Sequence, residues 1–419
     1  MKLIWTDVSL RKKIFFVLGA LVVFRLLSAI PIPGIDATEL SRFLTNNEFF
    51  GILNIFSGGG LSNLSIIMLG VGPYITASII MQLLTIIFPN LKKAYHEEGA
   101  EGRAKFNRYS RLLTVPLAIV QAYGFLNLLT SQGAIPPMSL GPLLANVIVI
   151  TAGSIFVMWL GELITEYKIG NGTSLIIFAG IVSGIPQAIY GNVLNYNPSV
   201  LPTYLAFIIL SIVVIAGIVF ITEGERKIPV SYAKQVRGNK MYGGVATYLP
   251  LRVNQAGVIP IIFALSVLLF PQFLAQTLAI ISPDLGLQVN NFVQKIAGNL
   301  LLFSSLYFVL VVLFTYFYTA ITFDPGEISK NLQRNGGFIP GIRPGENTKA
   351  FISKIVYRIT LFGAFFLGLI AILPNATQAV TGIATLTLGG TALLIVVAVA
   401  IETMKQLDSQ LDMREYENV

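Results

Sequence analysis

The chain has 419 residues, no cysteine, a single histidine (His96) and a formal charge of +8. Hydrophobic residues make up 54% of it and charged residues only 11%, against about 25% charged in an ordinary soluble protein. This is the composition of a polytopic membrane protein; it excludes a disulfide framework and thiolate chemistry, and it leaves zinc without its usual ligands.

In chain order, Arg11, Lys12 and Lys13 precede an apolar run from Ile14 to Ile30 that only Arg25 interrupts. The run passes into IPIPG without a small-residue cleavage pattern, so it reads as a first membrane span rather than a removable signal. Arg25 either snorkels outward or holds neighbouring polar groups in the bundle. The next apolar stretch, Ser57 to Phe88, reads SGGGLSNLSIIMLGVGPYITASIIMQLLTIIF. It is long enough to cross a bilayer but is broken at Gly70, Gly72 and Pro73, and its first part, about 61–69, is too short to cross alone. Broken backbone at membrane depth is tolerated only where protein or a water-filled cavity receives the freed polar groups. A cavity with a short movable segment beside it is therefore expected here.

Beyond this second span, whose crossing part is about 73–88, further spans are predicted at about 112–129, 142–161, 174–194, 203–221, 256–279, 299–321, 352–373 and 384–401, ten in all. Of the 28 lysines and arginines, 25 lie in the N-terminal segment, in the loops 89–111, 162–173, 222–254 and 322–358, and in the tail. The alternate loops hold only Arg42 and Lys295. The positive-inside rule places both termini and all the basic loops in the cytoplasm, as an even number of spans requires. The long external segment is 31–60. The loops 222–254 and 322–350 mix basic residues with glycine, proline and aromatics, and exceed ordinary connections in length. They are either solvated loops carrying orienting charge or a docking surface for a large anionic or acidic partner. Five spans plus five suggests two halves, 1–195 and 196–419, of opposite orientation.

The spans are nearly free of ionisable residues, against the habit of secondary transporters and pumps. Their polar residues are modest: Thr76, Ser78, Gln82 and Thr85, then Gln121, Asn254, Gln255, Ser304 and Ser305. They serve interhelical hydrogen bonding or line an interface that opens. No GxSxG, HExxH or GxxxxGK[ST] occurs, and Gly170-Asn171-Gly172 reads as a turn before the fifth span. No catalytic set, cofactor site or metal site is expected. Stripes such as Val71, Ile75 and Ile79, or Ile259, Ile262 and Ser266, are packing, lipid contact or the lining of a greasy gasket that excludes ions.

The segments SGGGLSNLSIIMLGVGPYITASIIMQLL, GNGTSLIIFAGIVSGIP, ITEGERKIPV, YLPLRVNQAGVIPIIFA, LQRNGGFIPGIRPGENT and LGGTALLIVVAVAIET together resemble the SecY/Sec61-alpha family, the channel-forming subunits of the Sec protein translocase. The resemblance covers nearly the whole chain. It implies an all-α polytopic membrane protein, with ten transmembrane helices in two inverted pseudo-symmetric halves around a central hourglass pore. It implies a plug made of a short helix, Leu61, Ser62, Asn63, Leu64, Ser65, Ile66, Ile67, Met68 and Leu69. A pore ring is carried over to Val71, Ile75, Ile177, Ile262 and Ile395, with Thr173 standing where the family often has isoleucine. A lateral gate is carried over to Ile79, Gln82, Thr85, Asn254, Ser266 and Phe270, whose polar members a closed gate would satisfy across the helices. Partner docking is carried over to Arg226, Lys227, Lys234, Arg237, Lys240 and Arg343. The implied partners are the membrane subunits SecE and SecG, the SecA ATPase, the ribosome, signal peptides with unfolded preproteins, and membrane lipids. The implied place is the bacterial cytoplasmic (inner) membrane. The implied activity is non-catalytic translocation driven from outside the chain; the alternative is a small-solute secondary transporter built on the broken second span.

Overall fold

The computed structural model of the chain describes residues 8–33, 60, 61, 64–88, 91, 99–131, 133, 135–194, 201–232, 235–237, 240–242, 246–381 and 390–417. Ser62, Asn63 and Lys234, most of the external segment 31–60 and part of the basic loop 89–111 lie outside the described residues. Each predicted span overlaps a helix, with residues 384–389 of the last one outside the described residues: α1 (Val8–Ser28), α2 (Gly72–Ile87), α3 (Gly99–Ser131), α4 (Leu140–Glu166), α5 (Gly172–Leu194), α6 (Leu201–Glu223), α7 (Ile259–Ile281), α9 (Leu300–Thr322), α11 (Glu346–Thr381) and α12 (Gly390–Glu417). Between α7 and α9 lies α8 (Pro283–Ala297), and between α9 and α11 lies α10 (Pro325–Arg334). Five helical stretches among the described residues are long and apolar enough to cross a membrane: those at Glu101–Thr130, Leu140–Glu166, Leu205–Glu223, Leu300–Arg334 and Glu346–Thr377. Several helices run past their apolar stretch. The first thirteen residues of α3, GAEGRAKFNRYSR, are largely polar, and they continue the helix where the hydropathy pattern ends it.

The long loop 222–254 is not irregular. It holds β1 (Glu225–Tyr232), β2 (Gln235–Arg237), β3 (Lys240–Tyr242) and β4 (Ala246–Arg252), and β5 (Gly337–Phe338) joins from the second loop. The order is β4-β1-β5, all antiparallel, with Ile228 opposite Leu249 and Ser231 opposite Phe338; β2 and β3 form a separate pair. Proline within a run argues against a strand because it cannot donate to the ladder. Both prolines escape that penalty here. Pro229 lies on the part of β1 that β5 does not reach, and Pro250 is on the edge strand β4. The period-two face Ile228 and Val230, with Leu251, packs with Ile339, Ile352 and Val356 into one buried cluster.

The chain divides into two compact units. One is Met1–Leu201 with Ser266–Leu300 and Val399–Val419; the other is Pro202–Leu265 with Leu301–Ala398. In the first, α2 packs on α3, α3 on α4, α4 on α5, and α1 on both α4 and α5. Close approach of α4 and α5 rests on glycine. A Cβ on Gly172 would collide with the Gly161 carbonyl and come within 2.9 Å of Ile164 Cβ. Thr165 stitches the junction, accepting from the Gly172 N–H and donating to the Gly161 carbonyl, both at 2.9 Å. Gly172 is thus a packing residue as well as part of a turn, in the manner of small residues between membrane helices. Where the chain turns between α4 and α5, Lys168 takes a left-handed φ of 57°. Its carbonyl accepts a hydrogen bond from Gln410 Nε2, and Lys13 Nζ donates to Gln410 Oε1 at 3.5 Å. Phe16 stacks on Tyr167 beside them at 4.1 Å. In the second unit, a Cβ on Gly363 of α11 would fall 2.8 Å from the Val253 carbonyl, and one on Gly368 would fall 2.7 Å from the Phe308 ring. Asn375 Nδ2 donates to Ser304 Oγ at 2.9 Å, so one of the polar span residues serves helix pairing.

Gly172→Ala is expected to destabilise the protein by about 1–3 kcal/mol, the usual cost of overpacking. Gly184→Ala, at a position with open space around it, is expected to be neutral or slightly stabilising. Thermal unfolding of the purified protein in detergent checks this; equal melting points would remove Gly172 from the packing account.

Candidate functional site

The segment before α2 carries the site. Gly60, Leu61 and residues 64–71 are a chain of turns, with Leu64 at φ 42° and Gly70 at φ 52°. This corrects the expected short helix. Left-handed residues at both ends of so short a run leave too few consecutive helical residues to close an α-helical turn. Its N–H groups find partners in two ways. Within the segment, Leu64 donates to Leu61, Met68 to Ser65, Gly70 to Ile67 and Gly72 to Leu69, all at 2.8–3.0 Å. Outside it, Ser65 forms an isolated antiparallel bridge with Pro31. There the Ile32 N–H donates to the Leu64 carbonyl at 2.8 Å, and the Ile66 N–H to the Ile30 carbonyl at 3.0 Å.

Leu61, Leu64 and Met68 are buried in one cluster with Ile32, with Ala122, Phe125, Leu126 and Leu129 of α3, and with Val147 and Ile150 of α4. Ile67 is fully buried. The backbone lies against α4 at Gly153, where a Cβ would collide with the Ile66 carbonyl and stand 3.2 Å from Ile67 Cγ2. Two opposing terms set how firmly the segment sits. Each fully buried aliphatic side chain is worth about 1.5–3 kcal/mol over exposure. Against this, Ser65 Oγ and, on the same stretch of α4, Thr151 Oγ1 and Ser154 Oγ are buried without a hydrogen-bond partner. Each such group costs about 1–3 kcal/mol.

The carried-over ring residues are all buried: Val71 at 1%, Ile75 at 8%, Ile177 at 1%, Ile262 at 6% and Ile395 at 1% relative exposure. Val71, Ile75 and Ile177 belong to the first unit, Ile262 and Ile395 to the second. Val71 is the residue on which the turns end and α2 begins. Thr173 is half-buried on the first turn of α5. Among the gate residues, Ile79 and Thr85 are buried and Phe270 is exposed. The polar ones are satisfied locally where bonds occur. Thr85 donates to the Gln82 carbonyl at 2.6 Å, and Asn254 Nδ2 to the Gly257 carbonyl at 3.2 Å. Gln82 Oε1, Asn254 Oδ1 and Gln255 Oε1 are buried without a partner. Ser266 is half-buried. Elsewhere on α2, Thr76 Oγ1 accepts from Gln121 Nε2 of α3 at 3.5 Å. Arg25 is exposed and donates along its own helix to Ser28 Oγ at 3.3 Å.

Arg226 and Lys227 are exposed on β1. Arg237 and Lys240 stand opposite each other where β2 meets β3. Arg343 is exposed on a tightly held turn. Gly341 and Gly345 on either side take φ of 81° and 103°, which L side chains resist. The Arg343 carbonyl accepts from Thr348 Oγ1 at 3.1 Å, the Gly345 carbonyl from Ser329 Oγ at 2.7 Å, and Ile339 anchors the turn in the buried cluster under the sheet. The site is therefore two things: a non-helical segment seated in a helix bundle, and a cationic turn held rigid on a small sheet.

The family model described as SecY matches residues 65–404, from the bridge residue Ser65 to the middle of α12. The chain belongs to the SecY family. The protein translocase subunit SecY of Thermus thermophilus is 44% identical, over 100% of this chain and 97% of that one. Two solved structures share the fold at 20% identity and a TM-score of 0.63, each over 94% of this chain and 91% of theirs. One is a SecY protein whose plug domain stabilises the closed state of its translocation channel and maintains a membrane seal. The other is Sec61 in the canine ribosome–channel complex from the endoplasmic reticulum. With a SecY-family chain in hand, the small-solute alternative is left without support. Sequence reasoning missed Gly153 and the clip at Ile30–Ile32; an isolated glycine in an apolar helical run is the one signal that pointed to the former.

In the SecY-family chain, Gly153→Ala is expected to push the seated segment off α4. An overpacking penalty of about 1–3 kcal/mol shifts the seated-to-unseated ratio by roughly 5- to 150-fold. The natural chain has no cysteine, so maleimide labelling of buried Met68, as M68C with and without G153A, reads the shift directly. Equal labelling rates would mean that α4 does not hold the segment.

Proposed function

We propose that this chain is the channel-forming subunit of a bacterial protein translocase. It provides a route for unfolded secretory polypeptides across the cytoplasmic membrane, and a lateral exit for transmembrane segments into it. The observation that carries this reading is the seated, non-helical segment directly before α2, in a chain that belongs to the SecY family. A stopper has to be well packed at rest and yet removable; the buried aliphatics support the first and the small number of backbone bonds to the rest of the unit supports the second. Ten crossings, both termini in the cytoplasm, and two halves, 1–195 and 196–419, around an hourglass pore complete the architecture of the proposal.

In this reading Val71, Ile75, Ile177, Ile262 and Ile395 form the constriction. Aliphatic side chains suit it because they expel water, and so ions, while holding no particular sequence. Thr173 would then stand beside the ring rather than in it. Gln82, Thr85, Asn254, Ser266, Ile79 and Phe270 line the lateral gate. Polar side chains at such a gate leave its closed and open states in balance, because water or a partner can satisfy them once it opens. A hydrophobic segment that enters loses contact with water at about 25 cal/mol per Å² of apolar surface, enough to tip such a balance. The chain works on energy from its partners, the SecA ATPase or the translating ribosome, received at Arg343 and at the basic strands β1–β3. SecE and SecG complete the membrane assembly.

Two measurements test the proposal. Replacing Ile75 and Ile262 together by serine is expected to raise the resting ion conductance of the purified channel in planar bilayers; an unchanged resting current sinks the ring. Arg343→Glu is expected to lower SecA-driven translocation about tenfold or more, the worth of one charge-assisted contact of about 1.5–3 kcal/mol, with membrane-inserted protein at its normal level. Equal loss of inserted protein would assign Arg343 to folding instead.

A further inference from the structure

The fifteen-residue helix α8 was not anticipated by the hydropathy pattern, and it is strongly two-faced. Leu285, Val289, Phe292 and Ile296 follow one another at spacings of four, three and four, which places them on a single stripe. Asp284, Gln288, Asn291 and Lys295 occupy the adjoining side. Gly286 and Val293 are buried, so a third side rests on the protein. Yet Leu285 is 51% and Phe292 64% exposed. Leu287, at 59%, stands off the stripe.

We propose that α8 lies in the membrane–water interface on the outer side, with the Leu285–Ile296 stripe in the lipid and the polar side in water. The inference rests on the reading above, that α7 and α9 cross the membrane and that the link between them lies on the outer side. Given that, the links decide the position. Only Ser282 separates the end of α7 from α8, and only Gly298 and Asn299 separate α8 from α9. Both ends of a helix about 22 Å long are thereby held at the level where spans leave the hydrocarbon, so its axis runs along that surface. An amphipathic helix in that plane buries its apolar stripe among the acyl chains. A protein occupant fits less well, because four side chains fall far short of the roughly 800 Å² per partner of a standard interface. Asp284 in the first turn and Lys295 in the last complement the helix dipole, so α8 is stable in that position without a capping side chain.

The absence of cysteine makes the test direct. Single variants L285C, F292C, N291C and V309C carry a nitroxide in reconstituted liposomes. Collisions with oxygen, which concentrates in lipid, and with a water-soluble nickel chelate report depth. Labels at 285 and 292 are expected to favour oxygen severalfold relative to 291, which favours the chelate. Chelate access at 285 and 292 equal to that at 291 would put α8 in water and overturn the proposal. Shielding from both reagents would overturn it in favour of a protein cover, a second copy or another subunit. Val309, half-exposed on α9, separates the premise from the inference: a chelate-accessible label there would remove the span itself.

Discussion

Backbone that leaves helical geometry at membrane depth must find partners for its N–H and C=O groups inside the protein, because lipid offers none. Everything distinctive in the first unit follows from how residues 60–71 meet that demand. Turns satisfy part of it, and the remainder falls on the two hydrogen bonds to Ile30 and Ile32. Those bonds fix the end of α1. The apolar side chains of the turns then have one place to go, the cleft between α3 and α4, and Gly153 admits the backbone because nothing projects from α4 there. A segment held by two backbone bonds, a handful of aliphatics and a glycine has few attachments to break. Few attachments are what the proposed stopper role requires.

The second unit solves a different problem. A cationic side chain can serve the proposed docking role only if its backbone does not yield under load. Arg343 sits on a turn whose conformation two left-handed glycines impose and two hydroxyl hydrogen bonds secure. Beneath it, the strands from one loop and the two-residue strand from the other share an apolar floor with α11. The two long loops, far apart in sequence, are thus parts of one small folded body.

Much of this was legible in the sequence, for physical reasons that differ by element. Spans such as Leu201–Glu223 are read easily because nothing but a membrane explains a run so apolar and so free of charge. Ser57 to Phe88 announces its break through Gly70, Gly72 and Pro73, and the position of α2 follows. The conformation before the break was not legible, since a leucine at φ 42° has no sequence signature. The strands were hidden by Pro229 and Pro250, whose tolerance depends on which neighbour strand stops short. α8 was hidden because hydropathy averaging cancels a stripe against its opposite face. The seat at Gly153 was not legible either, since it depends on a contact between residues about ninety apart in the chain, which no local pattern encodes.

The clasp at Gln410 has a temporal consequence. Its partners, Lys13 and the Lys168 carbonyl, precede it by 397 and 242 residues. The compact unit that opens the chain also includes Val399–Val419. The N-terminal helices of this unit therefore remain incomplete until the segment Val399–Val419, made about two hundred residues later, has joined them.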